Sequence, residues 1–256
     1  MLASLPDPPA PTPSRARRLE GALRQVVRLP AGPIDAALRG HAAMIVRSGF
    51  AVHRLALGPM GSTELLGQGD VVFGGTLDET ASLPARTSIE AIQPVELTLL
   101  GPQLSDAIAR DPVLGVSLLQ AQQQRVDRAR VLQAIAHIIR VDVRLLALLW
   151  HLADRWGRVT PDGVRLTLPL THRVLGQLIG ARRPSVTTAV GALESQEAIA
   201  RLDDGWMLLG DPEEHLAQLV SESVRAVDSG ALATSAAGTH AGARGHTGTR
   251  GPRITR

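Results

Sequence analysis

At 256 residues the chain can hold one large domain or two modest ones, and with 44% apolar but only 2% aromatic residues its core must be built from Leu, Val, Ile and Ala. It has no cysteine, which excludes disulfides, cysteine zinc sites and cysteine-ligated iron–sulfur clusters. The formal net charge is only +3, yet the isoelectric point is about 10.9, because all 27 basic residues are Arg, whose charge is permanent and whose planar fork suits phosphate and guanine.

Residues 1–17 are expected to form a disordered tail. Pro6, Pro8, Pro9, Pro11 and Pro13 interrupt regular hydrogen bonding, and little there can be buried. This is not the basic stretch followed by an apolar core that makes a secretory signal. No apolar run in the chain reaches the roughly 20 residues of a membrane span. A cytoplasmic location and no membrane partner are the expectation.

Residues 18–110 read as a β-sandwich. Short apolar runs at Val26-Val27 and Leu29, Ala43–Val46, Phe50–Leu57, Glu64–Leu66, Val71–Phe73, Ser88–Ile92 and Val95–Leu100 are separated by turn residues such as Ser48-Gly49, Gly58-Pro59 and Gly67-Gln68-Gly69-Asp70. Short strands at regular spacing argue for a sandwich or barrel.

The pattern changes at 111–139. Asp111-Pro112 is a helix start, a capping acid followed by proline at the first helical position. Apolar residues then recur with a helical period at Val116, Leu119, Val126, Leu132, Ile135 and Ile139. A helix near 28 residues is about 40 Å long, more than one small sandwich covers. A second copy of the helix would cover the rest and make a homodimer; packing on its own domain is the alternative. A further helix runs from Val143 to about Trp156, apolar on most sides, and Gly157 is placed to end it as a glycine cap.

Residues 140–210 read as a winged helix-turn-helix. Leu166–Leu170 is a strand-like run. Thr171 caps a helix with Val174, Leu175, Leu178 and Ile179 at helical spacing, and Gly180 closes it. A second helix, about 182–194, buries Val186, Ala189, Val190 and Leu193 on one side. Pro184 sits in its first turn, where the missing N–H costs nothing. Two short helices joined by a tight glycine turn make a helix-turn-helix. Its exposed residues, Arg182, Arg183, Pro184, Ser185, Thr187 and Thr188, together with Thr171 and His172, are the candidate contacts to double-stranded DNA. Arg pairs with guanine, and hydroxyls and the Thr methyl meet bases or phosphates. Asp203-Asp204-Gly205 between the apolar runs Ile199–Leu202 and Trp206–Leu209 is a hairpin signal and supplies the wing. Residues 211–256 are a C-terminal extension, expected to be disordered from about Ser229. Beyond that point there is no acid, and Arg244, Arg250, Arg253 and Arg256 make either an inert tail or a weak phosphate contact.

The stretches Leu170-Thr-His-Arg-Val-Leu-Gly-Gln-Leu-Ile-Gly-Ala-Arg-Arg-Pro-Ser-Val-Thr-Thr-Ala-Val-Gly-Ala-Leu-Glu194 and Val143-Arg-Leu-Leu-Ala-Leu-Leu-Trp-His-Leu-Ala153 resemble the Crp/Fnr family of bacterial regulators, its actinobacterial members most. Ile45-Val-Arg-Ser-Gly49 and Leu65-Leu-Gly-Gln-Gly-Asp70 resemble the family's sensor domain more weakly. The resemblance implies an α+β architecture: a cyclic-nucleotide-binding-like jelly-roll sandwich, a long dimerisation helix and a C-terminal winged helix. It places the base-contacting positions on Arg183, Pro184 and Thr188. Pro184 stands where members often carry Glu, so the usual operator is not implied. The sensor departs from the nucleotide binders. Phe73-Gly74-Gly75 lacks the acid that holds ribose, and Val131 and Leu132 replace the hydroxyls that meet adenine. Only Arg86-Thr87 resembles the pair that holds the cyclic phosphate, and the alternative reading of Arg86 is a surface residue at a strand edge. The effector is therefore open, a cyclic nucleotide is not expected, and no cofactor is implied. His53 is read as a surface residue.

The function this implies is a homodimeric, sequence-specific transcriptional regulator, with RNA polymerase a further candidate partner. The alternative is a protein-interaction module that binds DNA weakly and without sequence preference. Nothing points to an enzyme. His137, His151, Asp127, Asp142 and Asp154 lack metal-ligand spacing, and there is neither a phosphate-cradling glycine loop nor a nucleophile elbow.

Overall fold

The computed structural model describes residues 24–58, 60–74, 85–215 and 217. The expected tails, 1–17 and from 229 on, lie outside the described residues, as does Gly75.

Eight strands make the N-terminal sandwich: β1 (Arg24–Leu29), β2 (Gly32–Pro33), β3 (Ala43–Ser48), β4 (Ala51–Leu57), β5 (Met60–Leu66), β6 (Val71–Phe73), β7 (Ala85–Ala91) and β8 (Val95–Leu100). A single helical turn, α1 (Asp35–Leu38), follows β2. The strands pair antiparallel in two four-stranded sheets, ordered β1-β8-β3-β6 and β2-β7-β4-β5. Alternation places Met44, Val46, Ala51, Leu66, Ile89, Ala91, Val95, Leu97 and Leu99 in the layer between the sheets. Some of the residues one step along, which face outwards, are apolar too. Val52 and Leu65 join the core of the C-terminal domain, while Ala43, Val71 and Leu100 join Leu104 and Leu118. Both sheets are therefore partly covered on the outside as well.

Helix α2 (Leu104–Arg110) leads into α3 (Pro112–Ala136). Asp111 caps α3, its Oδ1 accepting from the Val113 amide at 3.1 Å, with Pro112 in the first turn. The helix has 25 residues and stops at Ala136, short of the expected 139. Its apolar residues occupy two faces rather than one. Leu118, Leu132 and Ile135 turn towards the chain's own domains. Val116, Leu119 and Val126 are exposed at 53%, 69% and 37%. Leu132 and Ile135 thus leave the predicted dimer stripe, because the period of 3.6 carries them round to the inner face.

Helix α4 (Val141–Trp156) buries Val143, Leu145, Leu146, Leu148, Leu149 and Leu152. Gly157 follows it but is extended, with φ −75° and ψ 149°, not a left-handed cap. Glycine is required there for clearance, since a Cβ would come within 2.5 Å of the Ala153 carbonyl oxygen. Residue 157 opens a hairpin absent from the sequence expectation, β9 (Gly157–Thr160) and β10 (Gly163–Leu166). The strand expected at 166–170 ends at Leu166, and Leu168 and Leu170 are buried in irregular chain. The remaining elements are α5 (His172–Ile179), α6 (Arg183–Ser195), β11 (Ile199–Leu202) and β12 (Gly205–Leu208). The last sheet has the order β11-β12-β10-β9.

Candidate nucleic-acid interface

The surface built by α5, α6 and the β11–β12 hairpin follows from a few local choices. Thr171 caps α5, its Oγ1 accepting from the Val174 amide at 3.3 Å. Gly180 ends the helix in the left-handed region at φ 66°, which glycine enters without a Cβ penalty. The turn folds close against α5: a Cβ on Gly176 would lie 2.6 Å from the Ala181 carbonyl oxygen. Arg182 is the N-cap of α6, with no side-chain cap bond, and Pro184 sits in the first turn. Val186, Ala189, Val190 and Leu193 are buried, which leaves Arg182, Arg183, Pro184, Ser185, Thr187 and Thr188 exposed on the outer side. All the α6 residues expected there are brought to one surface. The Thr187 and Thr188 hydroxyls donate to the carbonyl oxygens of Arg183 and Pro184, at 3.1 Å and 3.3 Å. To donate to a base or phosphate they must rotate off their own helix.

His172, at the start of α5, reaches both neighbours. Its Nδ1 lies 3.0 Å from Thr187 Oγ1, and its Nε2 lies 3.4 Å from an Arg201 guanidinium nitrogen. Burial, then the adjacent Arg201 and Arg183, push the His172 pKa below its ordinary value, and Glu194 opposes them. Arg201 and Trp206 were not among the expected site residues. Their signal in the sequence, Arg201 five residues before Trp206, becomes a contact only once the hairpin register pairs them across β11 and β12. That hairpin turns at Asp203-Asp204, and Gly205 is already in the strand, without positive φ. Gly205 is needed for clearance instead, since a Cβ would lie 2.1 Å from the Leu166 carbonyl oxygen.

Many arginines of the sandwich and the helices behind it are paired: Arg28 and Arg47 with Glu96, Arg54 with Glu90, Arg125 with Glu64, Arg128 and Arg155 with Asp70, and Arg140 with Asp142. Among the described residues no carboxylate lies in salt-bridge range of Arg173, Arg182, Arg183 or Arg201. These four arginines lie on the α5–α6–wing surface, where an anionic polymer can approach without displacing a carboxylate from them.

The sensor residues are placed differently. Arg86 and Thr87 are exposed on β7, opposite Ala56 and Leu55 of β4. Val131 is 43% exposed, and Leu132 packs on the core shared with the winged helix. His53 is a correction: it is half-buried, its Nδ1 2.7 Å from Glu64 Oε1. Arg125 of α3 bonds the same carboxylate and donates to the Val71 carbonyl oxygen at 3.4 Å. Since β5 and β6 are the edge strands of the two sheets, Arg125 closes the open side of the sandwich. Burial acts to raise the Glu64 carboxyl, but hydrogen bonds from His53 and Arg125 outweigh it and hold the pKa at about 2. The apolar period of α3 gave no hint that Arg125, between its apolar positions, turns towards the sandwich.

Comparison with known proteins agrees with this geometry. Residues 143–217 match the family model of the Crp-like helix-turn-helix domain. The global nitrogen regulator of Synechocystis sp. is 32% identical over 113 residues, covering 43% of this chain and 49% of that protein. The global nitrogen regulator of Nostoc sp. is 29% identical over 113 residues, 43% of this chain and 50% of that protein. The chain thus spans about half the length of the curated relatives it matches. A variant of CooA from Carboxydothermus hydrogenoformans has the same fold, with a TM-score of 0.59 at 16% identity over 77% of this chain and 87% of that one. FixK2 from Bradyrhizobium japonicum superposes with a TM-score of 0.58 at 18% identity, covering 77% and 98%. The α+β architecture, a sandwich followed by a long helix and a C-terminal winged helix, is the fold these proteins share.

Proposed function

We propose that this chain, which carries a Crp-like helix-turn-helix domain at 143–217 on a fold shared with Crp/Fnr regulators, is a DNA-binding transcriptional regulator that acts as a homodimer. The observation that supports this most is the unpaired arginine surface around the start of α6. Helix α6 is the recognition helix and enters the major groove. Arg183 contacts a base edge, with Pro184, Ser185, Thr187 and Thr188 beside it. Arg182, Thr171 and His172 contact backbone. The exposed Val116, Leu119 and Val126 of α3 form the seam with a second copy, which presents two recognition helices to successive major grooves.

An effector or partner at the sandwich shifts the α3 pair and re-spaces the two winged helices. Arg86 and Thr87 are the sensor residues offered to an anionic effector. Tight cyclic-nucleotide binding is not expected, and calorimetry showing micromolar affinity for cyclic AMP or cyclic GMP would overturn that part. No helix of the described chain is long and apolar enough to cross a membrane; the proposed location is the cytoplasm, and no enzymatic activity is proposed. RNA polymerase is the proposed further partner. The reading is tested by measuring binding to random and to selected duplexes across a salt series. A motif bound at least about 10³-fold more tightly than random DNA supports a specific regulator. Equal weak binding to both supports the interaction module instead.

A further inference from the structure

The sandwich grips the winged helix directly, and not only through α3. Alternation along β4 puts Val52 and Arg54 on the outward face of its sheet. Val52 is buried in the C-terminal core together with Leu65, its partner across β5, and β5 packs against α5. Arg54 lies further along the same face, opposite Thr63 of β5 and Ser88 of β7. One guanidinium nitrogen donates to Glu90 Oε2 of β7 at 2.6 Å, and the other donates to Gln177 Oε1 of α5 at 3.0 Å. The Arg54 Nε is buried without a hydrogen bond, an arrangement that costs stability and that an apolar residue would avoid. What the arginine adds in return is direction, because its planar fork fixes Gln177 relative to the sheet.

Gln177 cannot shift without the recognition helix. Val174, Leu175, Leu178 and Ile179 of α5 share one core with Val186, Ala189 and Val190 of α6. The two helices are closely fitted, since a Cβ on Gly176 would lie 3.4 Å from Val186 Cγ2. A second tie holds the end of α4, where Arg155 donates to Asp70 and to the Gln68 carbonyl oxygen at 2.8 Å and 2.7 Å. With the chain link at 137–140, the winged helix is fastened to its own sandwich at three places. Arg182, Arg183, Pro184, Ser185, Thr187 and Thr188 all stay exposed, so the grip places the recognition surface without covering it.

We propose that Arg54 and Gln177 are positioning residues for DNA recognition, through which the sandwich sets where its winged helix stands. Neither residue touches DNA. This rests on the chain binding DNA as a dimer, and it gives the sandwich a route to α6, through β4 and α5, that does not run along α3. In a dimer the separation of the two recognition helices then follows from how the two sandwiches are held.

The test uses the full chain, fluorescence anisotropy and two duplexes, one carrying both selected half-sites and one carrying a single half-site. The readout is the ratio of the two affinities, which cancels any change common to both. Arg54→Met keeps an apolar stem but removes both bonds. It should lower the ratio about 5- to 10-fold, leave single-half-site affinity unchanged, and leave the salt slope unchanged because no phosphate contact is lost. Gln177→Met removes the same bond from the other side and should lower the ratio too, so the test stands even if one variant folds poorly. The double variant should lose no more than Arg54→Met alone, since the two act through one contact. An unchanged ratio in both single variants, additive losses in the double variant, or an equal fall on both duplexes overturns the proposal while leaving the winged-helix reading intact. A wild type that binds neither duplex overturns both.

Discussion

Asp70 Oδ2 lies 2.8 Å from a guanidinium nitrogen of Arg155, joining the turn between β5 and β6 to the helix that leads into the winged helix. The other carboxylate oxygen bonds Arg128 of α3, and the Gly67 amide donates to Oδ2 at 2.8 Å. Asp70 is only 2% exposed. Asp70→Asn leaves two adjacent guanidiniums without a counter-charge. The expected cost is about 2–4 kcal/mol, read from urea unfolding; an unchanged midpoint contradicts the role assigned to this residue.

Glu64 predicts an acid-dependent component of stability. Its pKa falls from 4.5 to about 2 on folding. A lowered folded pKa contributes stability that is complete above the unfolded value and is lost as pH falls through the folded one. The window is therefore about pH 4.5 down to about pH 2, and the term is on the order of 3 kcal/mol. Glu64→Gln should be less stable than wild type at neutral pH and converge with it below that window. Parallel pH profiles for the two proteins contradict this.

The two parts of the chain differed in how legible they were. The winged helix could be read residue by residue because its signals are local: the Thr171 cap, the Gly180 stop, Pro184 in a first turn, and Asp-Gly at the hairpin. The β9–β10 hairpin was missed because Arg158 and the short Pro161-Asp162 turn break the apolar pattern before it reaches Leu166. The strands of the sandwich were readable from alternation, but not that Val52 and Leu65 face a second core. Nothing local marks Arg125, Arg128 and Arg155 as inward-facing, because their partners, Glu64 and Asp70, lie 61, 58 and 85 residues away. Arg201 was missed for the same reason, its stack on Trp206 existing only after the wing folds.

The seam of the proposed dimer is open to direct test. Leu119→Glu together with Val126→Glu places charge on the exposed stripe of α3 without touching Leu118, which packs inward. Sedimentation should give a dimer for wild type and a monomer for the double variant. A monomeric wild type at micromolar concentration removes the dimer.

Glu197 carries φ 54° just past the end of α6, where the Ala198 amide closes onto the Leu193 carbonyl oxygen at 3.0 Å. A side chain in the left-handed region is strained, and glycine is the usual residue at this point. Glu197→Gly should raise stability by about 0.5–1 kcal/mol, seen as a higher melting temperature with unchanged DNA preference. A lower melting temperature would mean that the Glu197 side chain contributes more than its strain costs.

The account turns on Arg183 at the start of α6, and selection of bound sequences from a random duplex library with wild type, Arg183→Ala and Arg182→Ala tests it most directly. Wild type should select two half-sites about 34 Å apart, one helical turn. Arg183→Ala should lose about 1–3 kcal/mol on that site and relax preference at one base pair in each half. Arg182→Ala should keep the motif and bind all sequences more weakly, with a salt slope lower by about one per subunit. A wild type that selects no motif, or an Arg183→Ala protein that selects the same motif at the same affinity, would contradict the account.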